Sequence, residues 1–385
     1  MLRGDFDHLN INKYFYQKNI VKNHEKLLYE IDHLIRNRTS ISKSLFNSRV
    51  FINNGTRDDL GYMISNSPPE KKERLDFWLK RITGADSYCA VINGINGWSD
   101  YLAEFININF NKEWINTFGI PSNGIDVYTF IGKYEITPFG IHKDKEHTFL
   151  YHLGPGVKKA WLWDPSLCDI EPVITSNSFN LADTLSYAHA ITLSPGDILF
   201  IPQNWYHVLE NPEFSVTLGV APYEKKRSEL IDLFLKEELE KIDYDDSPMP
   251  LFMNHEKSLG EYSLKLLPPE IRYKELTQIS NDGVNRILKK LASNHFFKYT
   301  SPIREPNNKN YRFLGGISIG DKDEKYTTIY LRGREILIKN EFREPVFKLL
   351  DIISSTDYNY KKDAQEKKDA ASYYIEEMIK AGVLI

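Results

Sequence analysis

The sequence predicts an α+β protein in which helices flank a central β sandwich or barrel. At 385 residues the chain is longer than one hydrophobic core usually organises, which indicates several domains. Hydrophobic residues recur with a helical period over the first ~120 residues, alternate with a period of two from Ile125, and return to the helical period after Pro222. Apolar residues make up 41% and charged residues 26%, which is ordinary for a folded protein and excludes wholesale disorder.

Residues 1–122 are predicted to be mostly helical and to pack on the barrel. Residues 21–35 place Leu and Ile at helical spacing. Ser67, followed by two prolines and an acidic residue, is a helix-start signal for a second helix. A third helix is predicted over residues 99–118, where Leu, Phe, Ile and Trp form the apolar face.

Residues 123–222 are predicted to form the β core. Six short runs are rich in β-branched and aromatic residues and are bounded by Gly, Pro and Asp: IDVYTFIGKY, HTFLYHL, VKKAWLW, HAITL, DILFIP and FSVTLGV. Several such strands within ~100 residues indicate an antiparallel sandwich or barrel rather than βαβ units.

Two further segments follow the β core. Residues 223–300 are charged and helical, with a polar, Pro-containing loop predicted at residues 245–256. This segment is a candidate for the interface of a homodimer. Residues 301–385 are predicted to form a winged-helix-like domain, with strands at 311–319, 325–331 and 335–339 before two helices.

Composition argues against several partners. The 49 basic and 53 acidic side chains give a net charge of −4, so no electrostatic case exists for nucleic acid or an anionic membrane. Two cysteines cannot form a disulfide framework, which suits a reducing compartment. The N-terminus is too polar for a signal peptide, and no run of ~18 apolar residues occurs, so we expect a cytoplasmic protein.

A metal site is predicted in the β core. His142 and Asp144 are two apart on a predicted strand and therefore face the same way. His207, beside the strand DILFIP, is the candidate third ligand. Two histidines and one carboxylate on one face of a metal are typical of non-haem Fe(II) oxygenases. The alternative is an internal polar cluster in an inactive barrel.

Other histidines compete for this role. His147 has an odd offset from His142 and is expected on the opposite strand face. His152 and His189 lie on predicted strands without an acidic partner two residues away, and we expect them to be packed side chains.

Three motifs resemble one family. Residues 197–208 (DILFIPQNWYHV), preceded by Gly196, are similar to the GDxLFIPxxWxHxV stretch of JmjC-type and cupin-like Fe(II)/2-oxoglutarate oxygenases. Residues 137–144 (TPFGIHKD) resemble the family's first metal strand, and residues 156–165 (GVKKAWLWDP) the strand that binds 2-oxoglutarate. The order of barrel, helical segment and winged-helix-like end is similar to the ribosomal-oxygenase branch of protein hydroxylases.

The resemblance implies a double-stranded β-helix that holds Fe(II) through His142, Asp144 and His207, with 2-oxoglutarate and O2 as co-substrates. It implies oxidative decarboxylation to succinate and CO2, coupled to oxidation of a C–H bond. No GxSxG elbow or P-loop suggests nucleophilic catalysis or phosphoryl transfer.

The resemblance also implies residues that contact 2-oxoglutarate. Lys158 is expected to pair with the distal carboxylate, and Lys159 is the alternative, since neighbours on a strand face opposite ways. Thr137, Ser215 and Tyr128 are further candidate contacts, with core packing as the alternative for Tyr128.

Three functions are compatible with these features. The first is hydroxylation of a side chain in a peptide or protein substrate. The second is the same chemistry on a free amino acid or small metabolite. The third is a non-catalytic, ligand-sensing cupin that regulates through its C-terminal domain, although residues 301–385 carry 15 basic and 14 acidic side chains and lack a basic excess.

Overall fold

The computed structural model describes residues 9–53, 55–168, 184–240, 276–304, 316–322, 324–355 and 370–381, together with Phe179, Leu181 and Val383. Two compact units divide the chain: Met1–Glu224 with Leu291–Ile385, and Lys225–Lys290. The predicted loop at residues 245–256 and residues 311–315 of a predicted strand lie outside the described residues. None of the described helices has the length and apolar character needed to cross a membrane.

Eleven strands build one antiparallel sheet system around the predicted β core. The strands are β1 (Phe15–Gln17), β2 (Asn47–Ile52), β3 (Gly55–Thr56), β4 (Tyr88–Asn93), β5 (Ile125–Tyr134), β6 (His142–Lys143), β7 (Thr148–Pro155), β8 (Lys158–Trp163), β9 (His189–Leu193), β10 (Ile198–Ile201) and β11 (Tyr206–Pro222). Their order is β1-β10-β7-β11-β5-β4-β2-β3, while β6 and β8 also pair with β11, and β9 pairs with β8. This cupin-like arrangement confirms the predicted fold class.

The long strand β11 belongs to both halves of this sheet system. Its first residues pair with β6 and β8, and its later residues pair with β5 and β7. The register with β5 shifts between Asn211 and Ser215, where the strand passes from one half to the other. One strand therefore carries side chains into both ends of the barrel interior.

Ten α-helices are described outside the strands. They are α1 (His24–Ile41), α2 (Asp58–Asn66), α3 (Leu75–Thr83), α4 (Asp100–Ile106), α5 (Lys112–Phe118), α6 (Pro165–Cys168), α7 (Arg227–Glu240), α8 (Leu276–Ser293), α9 (Arg343–Ser355) and α10 (Ala370–Lys380). A π-helical turn, Asn107–Asn111, joins α4 to α5 into the predicted third helix. The side chain of Ser99 caps its start by accepting from the backbone N–H of Leu102.

The N-terminal region contains strands as well as the predicted helices. Strand β4 pairs with β5 and β2 and extends the sheet, and every residue of β4 except the last is buried. A strand buried on both faces has no alternating pattern, which is why the sequence did not reveal it. The helix start predicted at Ser67 is also wrong. Ser67 is the C-cap of α2, the following helix begins only at Leu75, and the carbonyl of Ser67 accepts a hydrogen bond from the indole of Trp78 in that helix.

Strand β5 separates two environments. Val127 and Ile131 lie on the face that packs against the N-terminal helices. Tyr128, Phe130 and Tyr134 lie on the opposite face, which points into the barrel because side chains alternate along a strand.

The last residues form a small sheet that packs within the first unit. Strands β12 (Ile317–Lys322), β13 (Tyr326–Leu331) and β14 (Arg334–Lys339) pair in that order, and α9 and α10 share their apolar core. Arg304 and Arg332 both pair with the carboxylate of Asp100 at the start of α4. Within the second unit, α7 and α8 pack through Phe234 and Ile279.

Candidate active site

The strand register brings His142, Asp144 and His207 together. His142 on β6 lies directly opposite His207 on β11, and Asp144 follows the end of β6. One ligand atom from each of the three side chains lies within 4.8 Å of the others. The Nε2 atom of His207 is 3.6 Å from Oδ2 of Asp144, and the two imidazole centroids are 4.2 Å apart.

Backbone carbonyls orient both imidazoles. Nδ1 of His142 lies 2.9 Å from the carbonyl oxygen of Gly140, and Nδ1 of His207 lies 3.1 Å from that of Trp205. A carbonyl oxygen only accepts, so each Nδ1 carries the proton and each Nε2 keeps its lone pair. Burial and the neighbouring His207 lower the pKa of His142 to about 4, which favours the neutral form that binds metals.

The triad fits a divalent metal with positions left open. Two neutral imidazole nitrogens and one carboxylate match the donor set of non-haem Fe(II) sites. The side chain of Asp144 is 37% exposed whereas that of His207 is 4% exposed, so the cluster opens toward solvent on the Asp144 side. Among the residues that the structure describes, no other group of His, Cys, Asp and Glu meets these distance criteria.

The competing histidines have other contacts. His147 accepts a hydrogen bond from the backbone N–H of Gln203 and lies beside the ring of Phe200. His152 is fully buried, with its ring nitrogens at 3.2 Å from Oγ1 of Thr217 and 2.7 Å from the carbonyl of Gly156. His189 packs on aromatic rings, and its backbone belongs to β9.

Lys158 points into the barrel and Lys159 points out of it. The ammonium of Lys158 is fully buried and donates to the hydroxyl of Tyr134 at 2.9 Å and to Oδ1 of Asn211 at 2.8 Å. Lys159 is 45% exposed along its side chain and lies 3.7 Å from the carboxylate of Glu210. Burial lowers the pKa of Lys158 to about 7, because both of its hydrogen-bond acceptors are neutral.

Ser215 has a buried hydroxyl without a hydrogen-bond partner. The residue is fully buried, and its Oγ has no hydrogen-bond partner. Ser215 pairs in register with Gly132 of β5, whose carbonyl accepts from the side chain of Asn211. Since Asn211 also holds Lys158, the free hydroxyl and the buried ammonium share one part of the barrel.

Thr137 and Tyr128 differ in what their hydroxyls do. The Thr137 hydroxyl donates to the carbonyl of Leu209 at 2.9 Å and accepts from its N–H at 2.7 Å, so it fastens the loop before β6 to β11. The Tyr128 hydroxyl makes one long contact, 3.5 Å to Oγ1 of Thr148. Its ring lies against Gly219, where any larger side chain would clash at 2.2 Å.

Two site residues were not predicted from the sequence. Tyr134 ends β5, and Asn211 lies in a stretch, ENPEF, whose Asn-Pro pair favours a turn. The strand register pairs Asn211 with Tyr134, and both side chains accept a hydrogen bond from the ammonium of Lys158. Parity along β5 could have suggested Tyr134, since it shares a face with Tyr128.

Residues 107–230 match the family model of the JmjC domain, and this stretch includes every site residue described above. The chain therefore contains a JmjC domain and is a 2-oxoglutarate-dependent oxygenase, a class that uses Fe(II), 2-oxoglutarate and O2. The match confirms the resemblance drawn from the three motifs.

Solved structures agree over the whole length of the chain. An X-ray structure of E. coli YcfD is 15% identical with a TM-score of 0.52, covering 99% of this chain and 97% of that one. A structure of YcfD described as a ribosomal oxygenase is 14% identical with a TM-score of 0.51, and one with cobalt and 2-oxoglutarate is 14% identical with a TM-score of 0.50; each covers 100% of this chain and 98% of that one. At such identities the likeness shows the fold. A comparison with curated proteins gives no match.

Proposed function

We propose that this oxygenase hydroxylates a side chain of a peptide or protein, with His142, Asp144 and His207 as the metal ligands. The observation that carries the proposal is that one ligand atom from each of these three side chains lies within 4.8 Å of the others, in a barrel that also buries Lys158. When bound, Fe(II), 2-oxoglutarate and O2 supply the oxidising chemistry that hydroxylates a C–H bond and releases succinate and CO2.

The protein's first task is to hold the metal in one geometry. The Nδ1 hydrogen bonds of His142 and His207 to backbone carbonyls fix the ring tautomers and aim both Nε2 atoms at one point. The backbone carbonyl of Asp144 accepts from the N–H of Asn204, which ties the third ligand to the loop before β11. Three protein ligands leave positions for the co-substrate and O2.

The second task is to bind the distal carboxylate of 2-oxoglutarate. The buried ammonium of Lys158 pairs with it, while Tyr134 and Asn211 hold that ammonium in place. The free hydroxyl of Ser215 donates to the same ligand, and Tyr128 is a further contact. A carboxylate compensates the buried charge, so binding raises the pKa of Lys158 from its lowered value.

Two observations support a polypeptide substrate. The triad opens to solvent at Asp144, so an extended chain can approach it from outside the barrel. The fold matches that of a ribosomal oxygenase along its full length, including the C-terminal sheet. Action on a free amino acid or small metabolite is the second candidate, and the cytoplasmic location and homodimer stay predictions.

The test measures substrate-dependent succinate. The full-length protein is incubated with Fe(II), 2-oxoglutarate and either pooled synthetic peptides or pooled free amino acids, and His142→Ala is the matched control. We expect succinate to rise with a peptide that gains the mass of one oxygen atom. Succinate formation that responds only to free amino acids contradicts the polypeptide substrate, and none above the control contradicts the catalytic assignment.

A further inference from the structure

His152 lies inside the barrel but outside the triad. It is fully buried on β7, in cross-strand register with Thr217 of β11. Its neighbours Tyr151 and Leu153 pack in the helix-facing core, so the side chain of His152 points the other way, into the barrel. The backbone N–H of His152 donates to the carbonyl of Asp197 at 2.9 Å. The ring is therefore an interior group on a strand that its neighbours hold in place.

Both ring nitrogens of His152 have hydrogen-bond partners. Nε2 is 2.7 Å from the carbonyl oxygen of Gly156, which can only accept, so Nε2 carries the proton. Nδ1 keeps its lone pair and accepts from the hydroxyl of Thr217 at 3.2 Å. Burial is the main factor that lowers the pKa of His152 to about 4, so the ring is neutral. It thus joins β11 to the turn between β7 and β8 without adding a charge.

The same turn is also tied to β11 through its backbone. The N–H of Gly156 donates to the carbonyl of Phe214 at 3.1 Å. A Cβ at Gly156 would lie 2.6 Å from Cβ of Glu213 and 2.8 Å from the carbonyl oxygen of Phe214, so the two segments touch as closely as glycine allows. Gly156 is therefore held by His152 at its carbonyl and by β11 at its N–H.

This double attachment lies next to the buried ammonium. Lys158 follows Gly156 by two residues and is the first residue of β8. The segment of β11 that Gly156 contacts lies between Asn211, which accepts from Lys158, and Ser215, whose hydroxyl has no partner. The charge of Lys158 also contributes to the lowered pKa of His152, so the two side chains lie near each other.

We propose that His152 is a positioning residue for the co-substrate pocket, because its bond to the carbonyl of Gly156 fixes the ammonium of Lys158. The proposal rests on the proposed function, in which this ammonium pairs with the distal carboxylate of 2-oxoglutarate. A neutral imidazole suits the role, since it donates to a carbonyl and leaves Lys158 as the charged partner of the carboxylate.

Conservative variants separate the bond to Gly156 from the volume of the ring. The amide nitrogen of glutamine can lie where Nε2 of histidine lies, so His152→Gln can keep this bond. Asparagine reaches only the position of Nδ1, and phenylalanine keeps a ring without either nitrogen, so both lose it. We expect the Kd for 2-oxoglutarate to stay within about twofold in His152→Gln and to rise about 5- to 12-fold in His152→Asn and His152→Phe.

A second measurement needs no co-substrate. The described titratable groups near Lys158 are His152, Tyr134 and Cys89, and burial keeps all three neutral at pH 7: it raises the pKa of the Cys89 thiol to about 12 and that of Tyr134 well above its usual value. Desolvation thus accounts for the lowered pKa of Lys158. A turn that is no longer held admits water to the ammonium, so in His152→Asn and His152→Phe this pKa should rise by about one pH unit or more. NMR titration of isotope-labelled lysine in the ligand-free protein measures it, with Lys158→Met to assign the signal.

The order of the variants distinguishes positioning from packing. A ring that only fills space predicts His152→Phe as the mildest variant, whereas a positioning bond predicts His152→Gln. His147→Asn is the matched control, because it removes a partly buried imidazole outside the pocket and should change neither the Kd nor the pKa of Lys158. Equal values in the three His152 variants, or a milder effect of His152→Phe than of His152→Gln, overturn the proposal.

Failure of the proposed function has a different signature. If Lys158→Met binds 2-oxoglutarate as tightly as the unaltered protein, Lys158 does not pair with the co-substrate. The pKa of Lys158 in the ligand-free variants still shows whether His152 holds the ammonium, because that measurement involves neither metal nor 2-oxoglutarate.

Discussion

The triad and the Lys158 pocket share strand β11 but differ in how far their charges are balanced before any ligand binds. In the triad, the carboxylate of Asp144 lies 3.6 Å from His207, and each imidazole donates to a carbonyl. In the pocket, one ammonium is fully buried between two neutral acceptors. The imidazoles of the triad are already oriented without a metal. The positive charge of Lys158, in contrast, has only neutral hydrogen-bond acceptors.

This difference separates the two steps of ligand binding. The triad needs little rearrangement to accept a metal, since its tautomers are already set by the backbone. Under the proposed function, the distal carboxylate relieves the unfavourable desolvation of the Lys158 ammonium, so we expect the pocket to favour dianionic 2-oxoglutarate over a neutral keto compound. The proposed function therefore assigns metal geometry and recognition of the co-substrate charge to different groups of residues, and variants should separate the two roles.

Loss of a triad histidine should have the largest effect. His142→Ala and His207→Ala each remove one of three ligands, so turnover should be abolished and Fe(II) affinity should fall by more than about 100-fold, because outer hydrogen-bond partners alone are worth roughly 10–100-fold. Asp144→Ala should act in the same direction. Anaerobic Fe(II) titration and succinate formation measure the two effects.

His147→Ala is the matched control for these variants. His147 is partly buried beside the rings of Trp114 and Phe200 and lies outside the triad. It should keep metal binding within about threefold of the unaltered protein, since none of the three proposed ligands changes. Near-normal Fe(II) affinity in His142→Ala or His207→Ala would show that the triad is not the metal site.

Loss of the buried ammonium should rank second and should leave metal binding nearly unchanged. Lys158→Met removes a charge-assisted pair worth roughly 1.5–3 kcal/mol, so the Kd for 2-oxoglutarate should rise about 10- to 150-fold. Lys159→Met removes an exposed charge and should change that Kd less than about twofold. Calorimetry with the two variants measures their Kd values for 2-oxoglutarate. A larger effect of Lys159→Met contradicts the assignment of Lys158 as the residue that pairs with the distal carboxylate.

The pH dependence of co-substrate binding should follow Lys158. In the ligand-free protein its pKa is lowered to about 7, and only the protonated form pairs with a carboxylate. Affinity for 2-oxoglutarate should therefore be full below pH 7 and fall as pH rises through 7, by about tenfold per pH unit, with uptake of a proton on binding. Calorimetry in buffers of different ionisation enthalpy measures this uptake, and affinity that is flat from pH 6 to 9 contradicts it.

The smallest expected effect concerns Ser215. Its buried hydroxyl has no partner, so Ser215→Ala should leave thermal stability unchanged or raise it slightly, while 2-oxoglutarate affinity falls about 2- to 12-fold. Tyr151→Phe is the control, since it removes another unpartnered buried hydroxyl from the helix-facing side of β7. Tyr151→Phe should leave affinity unchanged, and equal behaviour of the two variants rules out a contact by Ser215.

The sequence predicted the barrel because short runs rich in β-branched and aromatic residues are bounded by Gly, Pro and Asp. It predicted the triad residues because two of them are two positions apart on a predicted strand. The choice between Lys158 and Lys159 stayed open because a one-residue change of register exchanges the faces. The structure supplies that register through the pairing of Lys158 with Leu193 and of Lys159 with Glu210.

Contacts between residues distant in sequence were harder to predict from local sequence patterns. Strand β4 is continuously buried and lies between helices, so its hydrophobic run lacks a period of two. Asn211 belongs to a turn-like pair of residues that the long strand nevertheless includes. Lys298 lies beside the start of β5 because its backbone N–H donates to the carbonyl of Ile125, and no local pattern in the sequence predicts such a long-range contact.

Strand β11 links the two proposed ligand sites along one backbone. His207 and Asn211 are four residues apart on it, before the register shift that precedes Ser215, and an extended chain advances about 3.3 Å per residue. Asn211 holds the ammonium of Lys158, so the distance from the proposed metal ligand His207 to this ammonium depends on β11 as well as on β8. Under the proposed function, a dicarboxylate one methylene longer or shorter than 2-oxoglutarate should therefore bind more weakly, and a binding titration with both analogues measures the difference.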